Sequence, residues 1–297
     1  MALGKRTAGE RVFSVFNYII MTLICVICLY PLWYVFMASV SDPIMMYAKR
    51  GILIFPIQPM TLKGYTLVAE NPNMSTAFLN TLLYLGVGTL LNMFVTIMGS
   101  YGLSRKGLFW NGKIMKFIAF TMYFQGGLIP FYLMVKNMNM LDTYHGIILP
   151  VIVNTWNLIV MRTSFMSIPE SLEESARLDG ANDWTILWRI FFPLAQATIA
   201  VITLFYAVYW WNNWFNPSLF LQSKTKYPLQ LLLREILLKN DTNSMTQVGS
   251  VGQSQKEQYR LLVKYCTIVV ATVPILIAYP FLQRYFVKGV MIGSIKG

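Results

Sequence analysis

Long apolar runs without charged side chains constrain this 297-residue chain more than any other feature. Several of these runs exceed the roughly 20 residues that an α-helix needs to cross about 30 Å of hydrocarbon. The apolar residues are continuous rather than alternating with polar ones, so they predict helices and not membrane-spanning strands. We therefore expect an all-α, polytopic membrane protein.

The lengths of the runs predict six transmembrane helices in one domain over residues 1–297. Their expected boundaries are about 13–38, 78–101, 115–135, 145–165, 196–221 and 263–283. The first run is longer than the apolar part of a cleavable signal peptide, so we expect it to remain as the first span. Pro31, Pro130, Pro150 and Pro274 are expected to interrupt helices. Gly86, Gly88 and Gly99 in the second span and the pair Gly126-Gly127 in the third are expected to allow close helix contacts or a local break.

The basic residues lie between the apolar runs, although the net charge is +12. In such positions they bind lipid headgroups and orient the chain, so membrane lipid is an expected partner and nucleic acid is not. The link between the second and third spans holds Arg105, Lys106, Lys113 and Lys116, whereas the next link holds only Lys136. This bias predicts that the link between the second and third spans and both termini are cytoplasmic.

Two long segments, about 41–77 and 222–262, then fall on the outside. The second contains Leu229–Leu238, whose pattern is typical of a short amphipathic helix. No charged residue lies well inside a span, which argues against a membrane-embedded enzyme. The same absence counts against an ion-coupled carrier, although carbonyl sites stay open to it.

The cytoplasmic link between the fourth and fifth spans, residues 167–193, is short, charged and helix-forming. Ser167 as a cap and Glu170 as its reciprocal partner predict a helix start, and Gly180 predicts its end. A second helix is expected from Asn182 or Asp183. The candidate contact residues are Glu173, Glu174, Ala176, Asp179, Gly180 and Ala181. Small side chains there allow close approach by a partner, and the charged ones supply ionic contacts; a solvated connection with routine caps is the competing interpretation.

The spacing within this link resembles a known signature. Glu174-Ser175-Ala176, three residues, Gly180, nine residues and Ile190-Phe191-Phe192-Pro193 resemble the E-A-A-x3-G-x9-I-x-L-P pattern of permease subunits of bacterial ABC importers. Ser175 replaces the central alanine and Phe192 replaces leucine.

Further segments resemble the maltose-type carbohydrate permeases, and the likeness covers nearly the whole chain. They are Phe78–Thr81, Trp211–Phe215 with Pro217–Leu219, Pro228–Gln230, and the ending Gln283–Gly289 through Lys296-Gly297. Two others, Met122–Pro130 and Asn157–Thr163, resemble the branch of that family that handles complex oligosaccharides.

The resemblance implies the fold of a type I importer permease in the bacterial cytoplasmic membrane. It implies as partners a second homologous permease, two ATP-binding subunits, an extracellular solute-binding lipoprotein and an oligosaccharide substrate. In this family the inner helix docks in a cleft of the ATPase, where its first glutamate, here Glu174, pairs with an arginine and the glycine, here Gly180, makes the turn. ATP and Mg would be bound by the partner subunits. No phosphate-binding loop, cofactor site or metal site is expected in this chain, which is therefore not an enzyme.

Aromatic and amide side chains in the spans are candidates for the substrate path. Sugars stack their C–H faces on aromatic rings and need hydrogen-bond partners for their hydroxyls. The candidate path residues are Tyr206, Trp210, Asn212, Asn213 and Gln125. A spacing of three and four places Tyr206, Trp210 and Asn213 on one helix face. An aromatic belt at the membrane interface is the competing interpretation of the rings. A permease for an amino acid or polyamine is the alternative within transport.

Overall fold

The computed structural model describes residues 8–48, 51–239, 259–277 and 280. Within these ranges the regular structure is helical and contains no strand, as the sequence predicted. The helices are α1 (Ala8–Ser39), α2 (Pro43–Ala48), α3 (Lys63–Ala69), α4 (Pro72–Ser104), α5 (Asn111–Tyr123), α6 (Leu128–Asn137), α7 (Tyr144–Ile148), α8 (Thr155–Met166), α9 (Glu170–Leu178), α10 (Asp183–Ile186), α11 (Phe192–Leu194), α12 (Gln196–Asn212), α13 (Phe215–Phe220), α14 (Leu229–Lys239) and α15 (Tyr259–Ile277). Short 3-10 turns occur at Leu149–Val151 and Lys224–Lys226, and a π-helical turn at Leu187–Phe191.

Three helices in the described ranges are long and apolar enough to cross a membrane unbroken: α1, α4 and α15. Three helix pairs meet the same test only together and are bent at a short break: α5 with α6 by 112°, α7 with α8 by 51°, and the α10–α11 segment with α12 by 85°. The expected six spans are recovered only if each bent pair is counted as one span. The end of the predicted sixth span and the C-terminal motif lie outside the described residues.

The break between α5 and α6 lies at the predicted glycine pair. Gly127 has a φ of +84°, a backbone conformation that side chains with a Cβ rarely adopt. The helix therefore stops at Tyr123 and restarts at Leu128 in a new direction. The predicted third span, 115–135, is two helices rather than one.

The break between α7 and α8 is stabilised by side chains from other helices. The Asn92 amide donates to the carbonyls of Val151 and Ile152 at 2.9 and 2.7 Å, so two backbone groups released by the break keep partners. Asn154 caps α8 by accepting a 3.0 Å hydrogen bond from the Asn157 N–H. Its own N–H donates to the hydroxyl of Tyr206 at 3.3 Å. The bend is thus held by specific hydrogen bonds.

The fold divides into two compact units: Met1–Asn71 with Ile236–Thr272, and Pro72–Glu235 with Val273–Gly297. In the first unit, Gly64 lies so close to α15 that a Cβ there would be 2.5 Å from the Cys266 sulfur. The Cys266 thiol donates to the carbonyl of Ser39 at 3.4 Å. A small residue at position 64 therefore permits the close packing of α3 on α15.

Helix α4 is the centre of the second unit and packs on both α8 and α12. A Cβ on Gly88 would lie 2.3 Å from the Trp210 ring, so the glycine predicted to allow close approach is required for this packing. The apolar core between these helices includes Ile97, Met161 and Phe165.

At the end of α4 that begins near Pro72, polar contacts join two loops. Asp142 accepts hydrogen bonds from the backbone N–H groups of Gln222 and Ser223 at 3.1 and 3.0 Å, and from the Lys226 ammonium at 3.2 Å. The Ser223 hydroxyl and these partners hold the pKa of Asp142 well below its usual range. Asn80, on α4, donates to the carbonyls of the same 221–228 loop.

Candidate functional site

Helix α9 is the first half of the 167–193 loop, and its cap lies two residues later than predicted. Pro169 occupies the cap position without a side-chain hydrogen bond, while the Ser167 hydroxyl donates backward to the carbonyl of Ser164 at 2.7 Å. The predicted Ser167 capping box is therefore wrong, because the last turn of α8 already binds that hydroxyl. Glu170 and Glu173 instead favour the start of α9 through the helix dipole.

The end of α9 is the one predicted. Gly180 has a φ of +83°, its N–H donates to the carbonyl of Arg177 at 3.0 Å, and the Ala181 N–H donates to that of Ala176 at 2.9 Å. This pair of bonds is the Schellman motif. A residue in the left-handed conformation ends the helix, and the last helical carbonyls accept hydrogen bonds from the N–H groups that follow. A Cβ on Gly180 would meet no atom within 4 Å, so the backbone conformation and not crowding selects glycine.

The second half of the loop is anchored in the core. Asn182 caps α10 by accepting a 2.8 Å hydrogen bond from the Thr185 N–H, which settles the choice between Asn182 and Asp183. Ile186, Leu187 and Phe191 then lie fully buried against α4 and α8. The loop is thus a rigid extension of the packed helices.

The charged residues of α9 divide into two groups. Glu173 is only 17% exposed and binds Arg105 at the end of α4 as well as Arg177 one turn along α9. Glu174 is exposed and makes no hydrogen bond or ion pair with a described residue. Of the two adjacent glutamates, Glu174 is therefore the one available to a partner.

The other candidate contact residues follow the same division. Asp179 and Gly180 are exposed, whereas Ala176 and Ala181 are half-buried and pack partly on the core of α4, α8 and α12. Leu178, which the sequence argument did not select, is 89% exposed at the end of α9. Its exposure depends on how α9 packs on the core, so the sequence alone did not single it out. Glu174, Leu178, Asp179 and Gly180 are called the exposed edge of α9 below.

A cavity of about 1410 Å³ lies beside the helix breaks. Its described lining combines aromatic rings with neutral polar groups and contains no charged side chain; the lining residues used below are Gln125, Asn154, Trp156, Tyr206, Tyr209 and Asn216. Aromatic faces with amides suit sugar rings and their hydroxyls, and the mixture matches known small-molecule sites.

The candidate path residues do not all reach this cavity. Gln125 and Tyr206 line it, but the Tyr206 hydroxyl is already shared with Thr96 at 2.8 Å. Trp210 is 1% exposed and bonded to Asn92 within the helix core. Asn212 and Asn213 are outside the lining.

Asn213 also lies beyond the end of α12, so it does not continue the face shared by Tyr206 and Trp210. It is buried, and its amide nitrogen has no hydrogen-bond partner among the described residues. The predicted fifth span breaks at this point and resumes as α13.

Comparison with known proteins agrees with these features. Residues 1–292 match the model of the family described as "Binding-protein-dependent transport system inner membrane component". The chain is 38% identical over 292 residues to the polygalacturonan/rhamnogalacturonan transport system permease protein YtcP of Bacillus subtilis, covering 97% of this chain and 99% of that protein. It is 36% identical over 294 residues to protein LplC of the same organism, covering 98% and 97%.

A solved structure shows the same fold over nearly the full length. A chain of a bacterial ABC transporter involved in the import of the acidic polysaccharide alginate superposes with a TM-score of 0.86 at 30% identity, covering 96% of this chain and 100% of that one. The predicted fold class and the resemblance to ABC importer permeases are therefore confirmed. The chain belongs to the family of inner membrane components of binding-protein-dependent transport systems, and it is an integral protein of the cytoplasmic membrane.

Proposed function

We propose that this chain is the permease subunit of an ATP-driven importer that moves oligosaccharides across the cytoplasmic membrane. Loop 167–193 is its contact with a separate ATPase subunit. The observation that carries the proposal is the exposed edge of α9, which presents an unpaired carboxylate at Glu174 from a helix fixed to the membrane core. A rigid, exposed and charged element of this kind is suited to receive force from a partner.

Such an importer would need several further subunits. We propose a second homologous permease, two ATP-binding subunits and an extracellular solute-binding lipoprotein as partners. ATP and Mg bind the ATPase subunits, and this chain contributes no catalytic group or cofactor. The apolar surface of α1, exposed along most of its length in the described residues, suits lipid or the second permease.

The substrate class rests on the cavity and on the relatives. Polygalacturonan, rhamnogalacturonan and alginate are the sugars named for the most similar proteins quoted above. Trp156 and Tyr209 offer ring faces in the cavity, while Gln125 and Asn216 offer hydrogen-bonding groups. A polyamine or an aliphatic amino acid has no sugar-like C–H ring face to stack on aromatic side chains, so the aromatic rings of the described lining favour a sugar over that alternative.

The orientation follows from contacts at the two ends of α4. Arg105 and Lys106 contact α9 at one end, whereas Asn80 contacts the 221–228 loop at the other. About 25 residues of helix separate these ends, or roughly 37 Å, enough to cross a membrane. With the short-loop charge bias, this supports a cytoplasmic position for loop 167–193 and both termini, and an outer position for 41–77 and 222–262.

Transport by the reconstituted complex tests the proposal. The chain is co-expressed with its partner permease and ATPase subunits, placed in proteoliposomes with the binding protein, and supplied with labelled oligogalacturonides, an amino acid or a polyamine. We expect ATP-dependent uptake of the oligosaccharide alone. ATP-dependent uptake of polyamine without sugar would contradict the proposed substrate class.

A further inference from the structure

Arg105 joins the end of α4 to both halves of the 167–193 loop. Its guanidinium donates to the Glu173 carboxylate of α9 and to the Ser104 hydroxyl at 2.8 Å. The central carbon lies 4.7 Å from the centroid of the Tyr101 ring and 4.3 Å from that of Phe191. The Arg105 side chain is only 18% exposed. A partly desolvated guanidinium held by a carboxylate and two ring faces has little freedom to move alone.

The middle of α4 contacts residues at the wall of the cavity. Thirteen residues before Arg105, or about 20 Å along the helix, Asn92 binds Trp210 and the carbonyls at the break before α8. Thr96 binds the hydroxyl of Tyr206, which lines the cavity. Helix α4 runs unbroken between these contacts. A displacement of α9 therefore reaches the cavity if Arg105 holds α9 to α4.

Other described ion pairs of α9 are less able to do this. Lys106 binds Glu170, but their side chains are 81% and 49% exposed, and exposed pairs contribute little. Arg177 binds Glu173 within α9 itself and the exposed Asp183 at the start of α10, so it stiffens the loop without joining it to α4. The Arg105–Glu173 pair is the shielded one among these four.

We infer that Arg105 is a positioning residue for transport, which makes α9 and α4 move as one body when the ATPase displaces the loop. The inference rests on the proposed role of the loop as the ATPase contact. Arg105 itself is largely buried against Glu173, unlike the exposed Glu174. Its loss should therefore separate ATP hydrolysis from transport, and leave the docking of the ATPase in place.

The first test measures sugar transported per ATP hydrolysed by the complete transporter in proteoliposomes. For Arg105→Gln we expect normal retention of the ATPase and at least a fivefold fall in the ratio of sugar transported to ATP hydrolysed. A fivefold change corresponds to the lower end of typical coupling free energies between two sites. Lys106→Gln is the matched control, since it removes the neighbouring but exposed cation and should leave the ratio unchanged. A normal ratio in Arg105→Gln would overturn the inference. Loss of the ATPase from that variant would overturn it as well, because the residue would then serve the shape of the docking surface.

A mutant cycle distinguishes the pair from a general effect on folding. Glu173→Gln should lower the ratio as Arg105→Gln does, and the double variant should be no worse than either one. Arg105→Lys keeps the charge but loses the planar stacking, so an intermediate ratio is expected. Additive losses in the double variant would show that the two residues act separately.

A distance measurement covers the case in which the transport ratio is affected indirectly. Spin labels at exposed Gly102 on α4 and Ser171 on α9, in the complex with the three native cysteines replaced, report the separation of the helices. We expect one distance that is unchanged between nucleotide-free and ATP-bound states, and a broadened or shifted one in Arg105→Gln. If the distance changes on ATP binding in the labelled protein that keeps Arg105, then α9 and α4 do not move as one body and the inference is wrong.

Failure of the inference can be told apart from failure of the proposed function. If loop 167–193 does not contact the ATPase, changes on its exposed edge have no effect on ATPase retention. If the loop does contact the ATPase but Arg105 is unimportant, those changes matter while Arg105→Gln keeps a normal ratio.

Discussion

The indole N–H of Trp210 donates a 2.8 Å hydrogen bond to the side-chain oxygen of Asn92, inside the packed interface of α12 and α4. The amide nitrogen of the same asparagine holds the two carbonyls exposed by the break before α8. One buried side chain thus satisfies groups from two other helices. The Asn92 side chain therefore positions the wall of the cavity, and the structure of that wall depends on this one amide.

Replacing Asn92 by leucine should destabilise the protein strongly. The buried indole N–H and the partly buried carbonyls of Val151 and Ile152 would lose these hydrogen bonds, and a buried polar group left without a partner costs about 1–3 kcal/mol. We expect a clear fall in the melting temperature in detergent. Asn212→Leu is the control, because among the described residues that exposed amide bonds only to Val208 in its own helix. Equal melting temperatures for the two variants would show that the Asn92 contacts are unimportant.

Two neighbouring aromatic residues on α12 should have opposite phenotypes. Trp210 is buried, so Trp210→Ala should lose about 3–5 kcal/mol of stability and reduce the assembled complex. Tyr209 lines the cavity and is partly exposed, so Tyr209→Ala should assemble normally and lower oligosaccharide uptake. Size-exclusion profiles and uptake rates separate the outcomes. Normal assembly of Trp210→Ala with lost uptake would return Trp210 to the substrate path.

The cavity shows where sequence reasoning succeeded and where it stopped. The apolar runs and Gly127 predicted the spans and one break, because hydrophobic length and left-handed backbone are local properties. The spacing that put Tyr206 and Trp210 on one face was correct. It did not say that α4 would cover that face, since this depends on Gly88, more than a hundred residues away.

Loop 167–193 shows the same limit. Gly180 was placed correctly and Asn182 was one of the two predicted caps, because these helix ends are set by adjacent residues. The Ser167 cap was wrong, since the last turn of α8 binds that hydroxyl. Arg105 was noted only as a basic residue that orients the chain, since its partner Glu173 is 68 positions away in the sequence. Glu173 and Glu174 are adjacent, so the local sequence did not indicate that Glu173 binds Arg105 while Glu174 is exposed.

The Asp142 contacts should give the two loops that they join a pH-dependent stability. Hydrogen bonds lower the pKa of Asp142 in the folded protein, so its stabilising effect is complete above the unfolded value of about 3.9 and declines as the pH falls toward the folded value. Asp142→Asn should therefore melt at a lower temperature than the native protein from pH 5 to 7. The difference should shrink below about pH 4. A difference that is constant down to pH 3 would show that ionisation of Asp142 is not the cause.

Glu174 should contribute more to transmission than to retention of the ATPase. It lies on the exposed edge of α9, and a charge-assisted contact with the ATPase would be about twice as strong as a neutral one. Glu174→Gln should reduce uptake several-fold while most of the ATPase still co-purifies. Glu170→Gln is a suitable control, because that glutamate is bound to Lys106. Full uptake by Glu174→Gln would remove Glu174 from the contact.

The central claim is that loop 167–193 joins the permease to its ATPase, and Gly180→Val tests it most directly. Valine at a φ of +83° costs roughly 1 kcal/mol or more, and its side chain would point into open space where a partner must approach closely. Gly112→Val is the control, since Gly112 also has open space around it but is not among the glycines with positive φ. The measurement is the amount of ATPase co-purified with each variant, alongside oligosaccharide uptake. We expect Gly180→Val to lose transport and much of the ATPase while Gly112→Val keeps both; normal transport and retention in Gly180→Val would contradict the claim.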